Sequence, residues 1–249
     1  MIEFALKGKK KDINQISSTG VGVGNIEGFN RVLFTEYDSD LGQKLQNNYL
    51  KSKFECEMKL QEAREKGLNV NIYRMGNLSF HTGTGKFQSN IEENVGYLLI
   101  RAFMKLNIMP DVEYRNTDMT FIDYASKAVG LIFDRKNLKN ETYHIYNSNY
   151  TGFKELWRYL QVYQPDLQLM SVEGMVETIL KNYNNKELMP YIENILFHSD
   201  VIGEMNDTNI IKISEKTDVI LGKMGFKWPR FKRKEFLKSI MYAIKVKFI

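Results

Sequence analysis

The spacing of apolar positions changes period along the chain, and each change marks an element. From Asn48 to Gly67, Tyr49, Lys53, Cys56, Leu60 and Ala63 follow one another at spacings of four, three, four and three. They therefore share one face of a single helix. Asn48 can cap its start, and Gly67 can take the left-handed position past its end. On either side the period falls to two. Lys11 to Ser17 reads as a strand closing in Ile16-Ser17-Ser18-Thr19, and Asn69 to Arg74 as a strand closing in Met75-Gly76-Asn77. A strand-like piece, Arg31 to Thr35, interrupts the long connection 25–48. Ile91 to Leu106 is helical, Met119 to Ile122 a short strand, and Asp123 caps a helix from Tyr124 to Phe133. Thr142 to Tyr146 is another strand. Strands alternating with helices predict a mostly parallel α/β sheet. From Thr151 only helices follow, at 152–163, 171–183, 186–197, 214–223 and 232–245, with a polar loop from His198 to Asn209. The expected organisation is an α/β unit over 1–150 and a mostly helical subdomain over 151–249.

A chain of 249 residues, 43% hydrophobic and 26% charged, can bury a sizeable core as a globular protein. No apolar run approaches the roughly 20 residues that span a membrane, so no membrane partner is expected. The first residues carry their charges after the apolar ones, unlike a secretory signal. A single cysteine allows no internal disulfide, which fits a reducing, cytoplasmic setting. The net charge of +5 raises nucleic acid as a partner, but acidic residues are interspersed almost everywhere. Only Lys7 to Lys11 and Lys227 to Lys234 are dense in cations, and both read as solvated faces. No nucleic-acid partner is expected.

The candidate chemistry lies on the helix 48–67. Tyr49 and Lys53 stand one turn apart. A phenol is a poor acid at neutral pH, and a cation held beside it favours the phenolate. Tyr-x-x-x-Lys thus makes a proton donor for a carbonyl or alkoxide oxygen. Other motifs fail. Gly20-Val-Gly-Val-Gly24 lacks the third glycine of a dinucleotide loop and leads into no helix period. Gly83-Thr-Gly-Lys86 lacks the first glycine of a phosphate loop and has Phe87 where Ser or Thr is needed. His81, His144 and His198 are scattered, so no metal site is expected. His144, on an alternating strand, reads as an interior histidine, and Cys56 as packing.

Hydroxyls at a strand end, then Tyr-x-x-x-Lys on a helix, then a strand closing in Arg-x-Gly resemble an extended short-chain dehydrogenase/reductase. The closer similarity is to the terminal thioester reductase domain of nonribosomal peptide synthetases. It is carried by Ser18-Thr19, Tyr49 to Glu57, Ile72 to Asn77, Gly85 to Asn94, Phe121 to Ala125 and Leu221 to Trp228, and runs nearly end to end. The resemblance implies NADPH as cofactor. It also implies a carrier-protein partner delivering an acyl or peptidyl thioester on a phosphopantetheine arm, and an aldehyde or alcohol product. Tyr49 would be the proton donor and Thr19 the second hydrogen bond to the oxyanion, with Ser18 the alternative, since register at a strand end stays open. Lys53 would lower the Tyr49 pKa and hold a cofactor ribose. Arg74 would bind a cofactor phosphate, Gly76 and Asn77 would let backbone approach the nicotinamide, and Phe87 and Gln88 would line the substrate channel.

In the family resembled, the first strands and the phosphate loop precede the region matched here. The expected fold is therefore a partial, N-terminally truncated Rossmann-like parallel sheet, impaired in cofactor binding by itself. The strand 11–17 would offer an open edge for self-association. A non-catalytic fragment or carrier-docking module is the alternative from another class. A sugar-nucleotide epimerase of the same superfamily is a third, disfavoured by the helical C-terminal region and Gly-Phe-x-Trp.

Overall fold

The computed structural model describes residues 1–45, 47–112, 116–133, 135–197 and 209–249. In chain order the elements are α1 (Ile2–Leu6), β1 (Ile13–Ser18), β2 (Val32–Phe34), α2 (Asn48–Glu65), β3 (Val70–Met75), β4 (Leu78–Ser79), α3 (Val95–Leu106), β5 (Ile108–Pro110), β6 (Asn116–Thr117) and β7 (Thr120–Phe121). Then come α4 (Ile122–Ile132), β8 (Thr142–Ile145), β9 (Thr151–Gly152), α5 (Phe153–Leu160), β10 (Gln168–Met170), α6 (Val172–Asn182), α7 (Met189–Phe197), β11 (Ile210–Lys212), α8 (Glu215–Lys223) and α9 (Arg233–Lys245). No helix among the described residues is long and apolar enough to cross a membrane.

The chain forms two compact units, one of residues 1–78, 118–148 and 207–229, the other of 79–117, 149–206 and 230–249. The expected division at 150 coincides with one crossing point only. Residues 79–117 leave the first half of the sequence, and 207–229 return to it. The late Gly-Phe-x-Trp segment thus belongs with the sheet: Phe226 packs edge-on against Trp228 and Tyr124, over α4 and α8.

The first unit is built on a parallel sheet in the order β1-β3-β8. Ile13 pairs with Val70 and Ser18 with Met75, and Ile72 pairs with Thr142 and Met75 with Ile145. Side chains alternate between the two faces of a strand. Ile13, Val70 and Ile72 pack with Leu60 and Ala63 of α2. Tyr73, Met75, Tyr143 and Ile145 pack with Ala125, Ala128 and Ile132 of α4 and Leu221 of α8. The sheet is thus covered on both faces, as parallel sheets are. By the same parity, Ser17 of β1, Arg74 of β3 and His144 of β8 all face α2. A separate parallel pair joins β2 to β11.

The second unit holds β5 paired with β10 and β6 with β9. Its core includes Ile91, Tyr97, Ala243 and Phe248. The helix expected over 91–106 is divided. A 3-10 turn, Ile91–Glu93, ends at Asn94, whose side chain accepts the Tyr97 N–H at 3.1 Å and starts α3.

Two caps differ from expectation. Asn47, not Asn48, caps α2, accepting the Leu50 N–H at 2.8 Å. Asp123 lies in the first turn of α4, whose N-cap is Phe121. Gly67 does adopt positive φ, +81°. The loop expected at His198 to Asn209 lies outside the described residues except for Asn209, as does His198 itself.

Candidate active site

Three successive hydroxyls stand where β1 ends, and the structure gives each a different fate. Ser17, facing α2, donates to Glu57 Oε1 at 2.5 Å. Ser18 caps the 3-10 turn Thr19–Gly22, its Oγ accepting the Gly20 N–H at 3.0 Å. Thr19 is buried as a residue, and no hydrogen bond of its hydroxyl is found among the described residues. Of the two hydroxyls left open by the sequence, the Ser18 oxygen accepts a backbone N–H and the Thr19 hydroxyl does not.

The first turn of α2 rests on the same 3-10 turn. A Cβ on Gly20 would stand 2.6 Å from a Leu50 methyl, so glycine permits that approach. Tyr49, the neighbour of Leu50, is 60% exposed. Lys53 places its Nζ 5.7 Å from the centre of the Tyr49 ring and donates to the Ile16 carbonyl at 3.2 Å. Thr19, Tyr49 and Lys53 are thus carried by two segments in direct contact, at the carboxyl end of a parallel sheet. That end is where open α/β sheets bind ligands. A nicotinamide nucleotide fits this donor set. Lys53 and Thr19 can donate to ribose or substrate oxygens, and the exposed phenol leaves room beside them.

The remaining expected residues are placed differently. Arg74 is fully buried. Its Nε and Nη2 donate to Glu57 Oε2 at 3.0 and 2.7 Å, and its Nη1 reaches His144 Nε2 at 3.1 Å and the Thr35 carbonyl at 3.4 Å. The Phe34 ring lies 4.6 Å from the guanidinium carbon. This fork holds a carboxylate of the protein and is not presented to a cofactor phosphate. The expectation failed because a strand-end position does not reveal depth.

Gly76 is required by packing: a Cβ there would stand 2.0 Å from Asp118 Oδ2 and 2.4 Å from the Tyr146 Cβ. Its N–H donates to the Ile145 carbonyl at 3.0 Å. Asn77 gives its backbone N–H to Asp118 Oδ2 at 2.8 Å and its side-chain amide to Oδ1 at 2.7 Å. The backbone N–H groups of the two residues expected to let backbone approach the nicotinamide are thus engaged within the protein. Phe87 lies in the second unit with its ring 4.6 Å from that of Tyr97, and Gln88 donates to the Asn90 carbonyl at 3.4 Å. Phe87 is packing within that unit.

Sequence reasoning gave no role to Glu57, Ser17 or Asp118. Glu57 repeats the spacing of four after Tyr49 and Lys53, and that was the available signal. His144 is interior, as expected. Its Nδ1 faces the Ile213 carbonyl at 2.7 Å, which can only accept, and its Nε2 faces an arginine N–H, which can only donate. The ring is therefore neutral with its proton on Nδ1. Burial, reinforced by the Arg74 charge, lowers its pKa to about 3.

Comparison with known proteins agrees with this fold. A NAD-binding family described as male sterility protein matches residues 1–129. A linear gramicidin synthase polypeptide of Brevibacillus parabrevis is 22% identical over 243 residues, covering 97% of this chain and 5% of that protein. A thiolation-reductase di-domain from an archaeal nonribosomal peptide synthetase superposes with a TM-score of 0.82 at 23% identity, over 99% of this chain and 52% of the other. The terminal R domain of the myxalamid pathway superposes with a TM-score of 0.83 at 19% identity, over 99% and 61%. The chain has the fold of these reductase domains and spans about half the length of the first of them.

Proposed function

Because the chain belongs to the NAD-binding family described as male sterility protein, we propose that it carries the catalytic groups of an NADPH-dependent thioester reductase. Its substrate is an acyl or peptidyl thioester on the phosphopantetheine arm of a carrier protein, and its product an aldehyde. The observation that supports this best is the pairing of two uncommitted hydroxyls, on Thr19 and Tyr49, with the Lys53 ammonium between helix and strand. The carrier partner is supported by the resemblance to synthetase reductase domains, one of them joined to a thiolation domain.

A nicotinamide held here would supply a hydride to the thioester carbonyl carbon. As the new C–H bond forms, the C=O π pair moves onto oxygen. Tyr49 gives that oxygen a proton, and Thr19 donates a hydrogen bond where the charge develops. The resulting hemithioacetal loses its hydroxyl proton, reforms C=O and breaks the C–S bond, and the departing sulfur takes up a proton as a free thiol. Tyr49, exposed on its helix, regains its proton from solvent. Lys53 would hold the ribose, and it keeps a positive charge beside the phenol ring. NADPH rather than NADH follows from the resemblance.

The test is NADPH oxidation with an acyl-thioester substrate in the full-length protein. Tyr49→Phe and Lys53→Ala should each lower turnover roughly 100-fold, and the double variant little further. Thr19→Ala should cost less, and Ser18→Ala least. Near-normal turnover in a folded, cofactor-binding Tyr49→Phe protein would falsify the mechanism. The outer edge of β1, where Ile16 is 47% exposed, would also pair with a second copy. A concentration-independent monomer in sedimentation would refute that.

A further inference from the structure

We propose that Ser17 and Glu57 are positioning residues, which together set the height at which α2 holds Lys53 and Tyr49 over the end of β1. This rests on the reading of Tyr49 and Lys53 as the reacting pair. Two neighbouring residues of β1 hold two residues of α2 that are one turn apart. The Ile16 carbonyl accepts from Lys53 Nζ, and the Ser17 hydroxyl donates to Glu57. Tyr49, Lys53 and Glu57 follow at spacings of four and lie along one edge of the helix. The upper members are loosely held: Tyr49 is largely exposed, and Lys53 has one hydrogen bond, to a backbone oxygen. The lowest member is clamped, with Ser17 on one oxygen and the Arg74 fork on the other.

The Ser17 bond is the informative one. Arg74 already satisfies the charge of Glu57, in a pair that is 1% exposed on both sides. What Ser17 adds is an attachment to β1, the strand that continues into Thr19. Without it α2 stays paired to β3 through Arg74 but loses its buried polar tie to the strand that carries the other donor. Misplacement of reacting groups by about 1 Å can cost a factor of 100 in rate.

The decisive measurement is a double-mutant cycle on turnover of the full-length protein, with NADPH and an acyl thioester. Ser17→Ala should lower kcat roughly tenfold with KM unchanged. In a Tyr49→Phe background the same substitution should change kcat less than twofold, because the proton donor whose position it sets is gone. A merely structural role would reduce the active fraction by the same factor in both backgrounds, and that result would overturn the inference, as would unchanged kcat in Ser17→Ala alone. If Ser17→Ala does not fold, Ser17→Cys keeps the shape with a weaker donor and carries the same cycle. Should Tyr49→Phe itself retain turnover, the reading of the pair fails and this inference falls with it. If Tyr49→Phe is impaired and the cycle is additive, only the inference fails.

Discussion

The two ends of one helical edge have opposite surroundings. Near the start of α2, Tyr49 is exposed and Lys53 is half-buried, with a hydrogen bond from Lys53 to backbone. Two turns further, Glu57 is buried with Arg74, Ser17 and, beyond Arg74, His144. The chemically expressive residues are the poorly anchored ones, and the well-anchored ones have no access to a ligand. The lesson is that spacing along a helix assigns a shared face and says nothing about depth. The sheet beneath α2 decides which part of that face is structural.

The buried end is the more sensitive to substitution. Glu57→Ala leaves the Arg74 charge without its partner inside the protein, and should cost about 3–5 kcal/mol in urea unfolding. Replacing both partners, Glu57→Leu with Arg74→Met, should recover most of that loss. If the single variant unfolds at the wild-type urea concentration, the buried pair is not what fixes α2.

Next comes His144. Its folded pKa of about 3 lies below the usual 6.5, so between those values the unfolded chain binds more protons than the folded one. Stability therefore rises with pH across that window and is lost as pH falls through it. From pH 7 to pH 5 the histidine alone should remove about 2 kcal/mol. A His144→Asn variant should lose less over the same interval. Parallel curves for the two proteins would show that the ring titrates normally.

The smallest effect is expected at the exposed end. Tyr49→Phe should change stability by no more than about 0.5 kcal/mol, although it abolishes the proposed proton donor. A larger loss in thermal unfolding would mean that Tyr49 is part of the fold and would weaken the contrast.

Much of this was legible in the sequence, for identifiable reasons. The helix 48–67 and its glycine stop follow from local periodicity and φ preference, and both recur within a residue or two. The strands before and after it follow from alternation. Arg74 illustrates the limit. Its parity with Val70 and Ile72 already directed it toward α2, but only the packed helix shows that Glu57 meets it there. The three hydroxyls at the end of β1 could not be ranked, because a strand turning into a 3-10 helix breaks the alternation at the residue in question. Gly76 was read as room for a ligand, whereas the room is filled by Asp118, which bonds the next residue, Asn77, from 41 positions away in sequence. The two units could not be cut correctly because 79–117 and 207–229 cross between them, and no local signal marks such an exchange.

β3 is buried at every position and hydrogen-bonded on both sides, by β1 and by β8. Its last arginine is tied to α2 by Glu57. Its amides can meet solvent only when the sheet itself comes apart, so their deuterium exchange should report the slowest, global opening of this unit. The exposed edge at the start of α2, where Tyr49 is 60% exposed, belongs to the other extreme. That end should therefore open and close many times within a single lifetime of the strand beneath it.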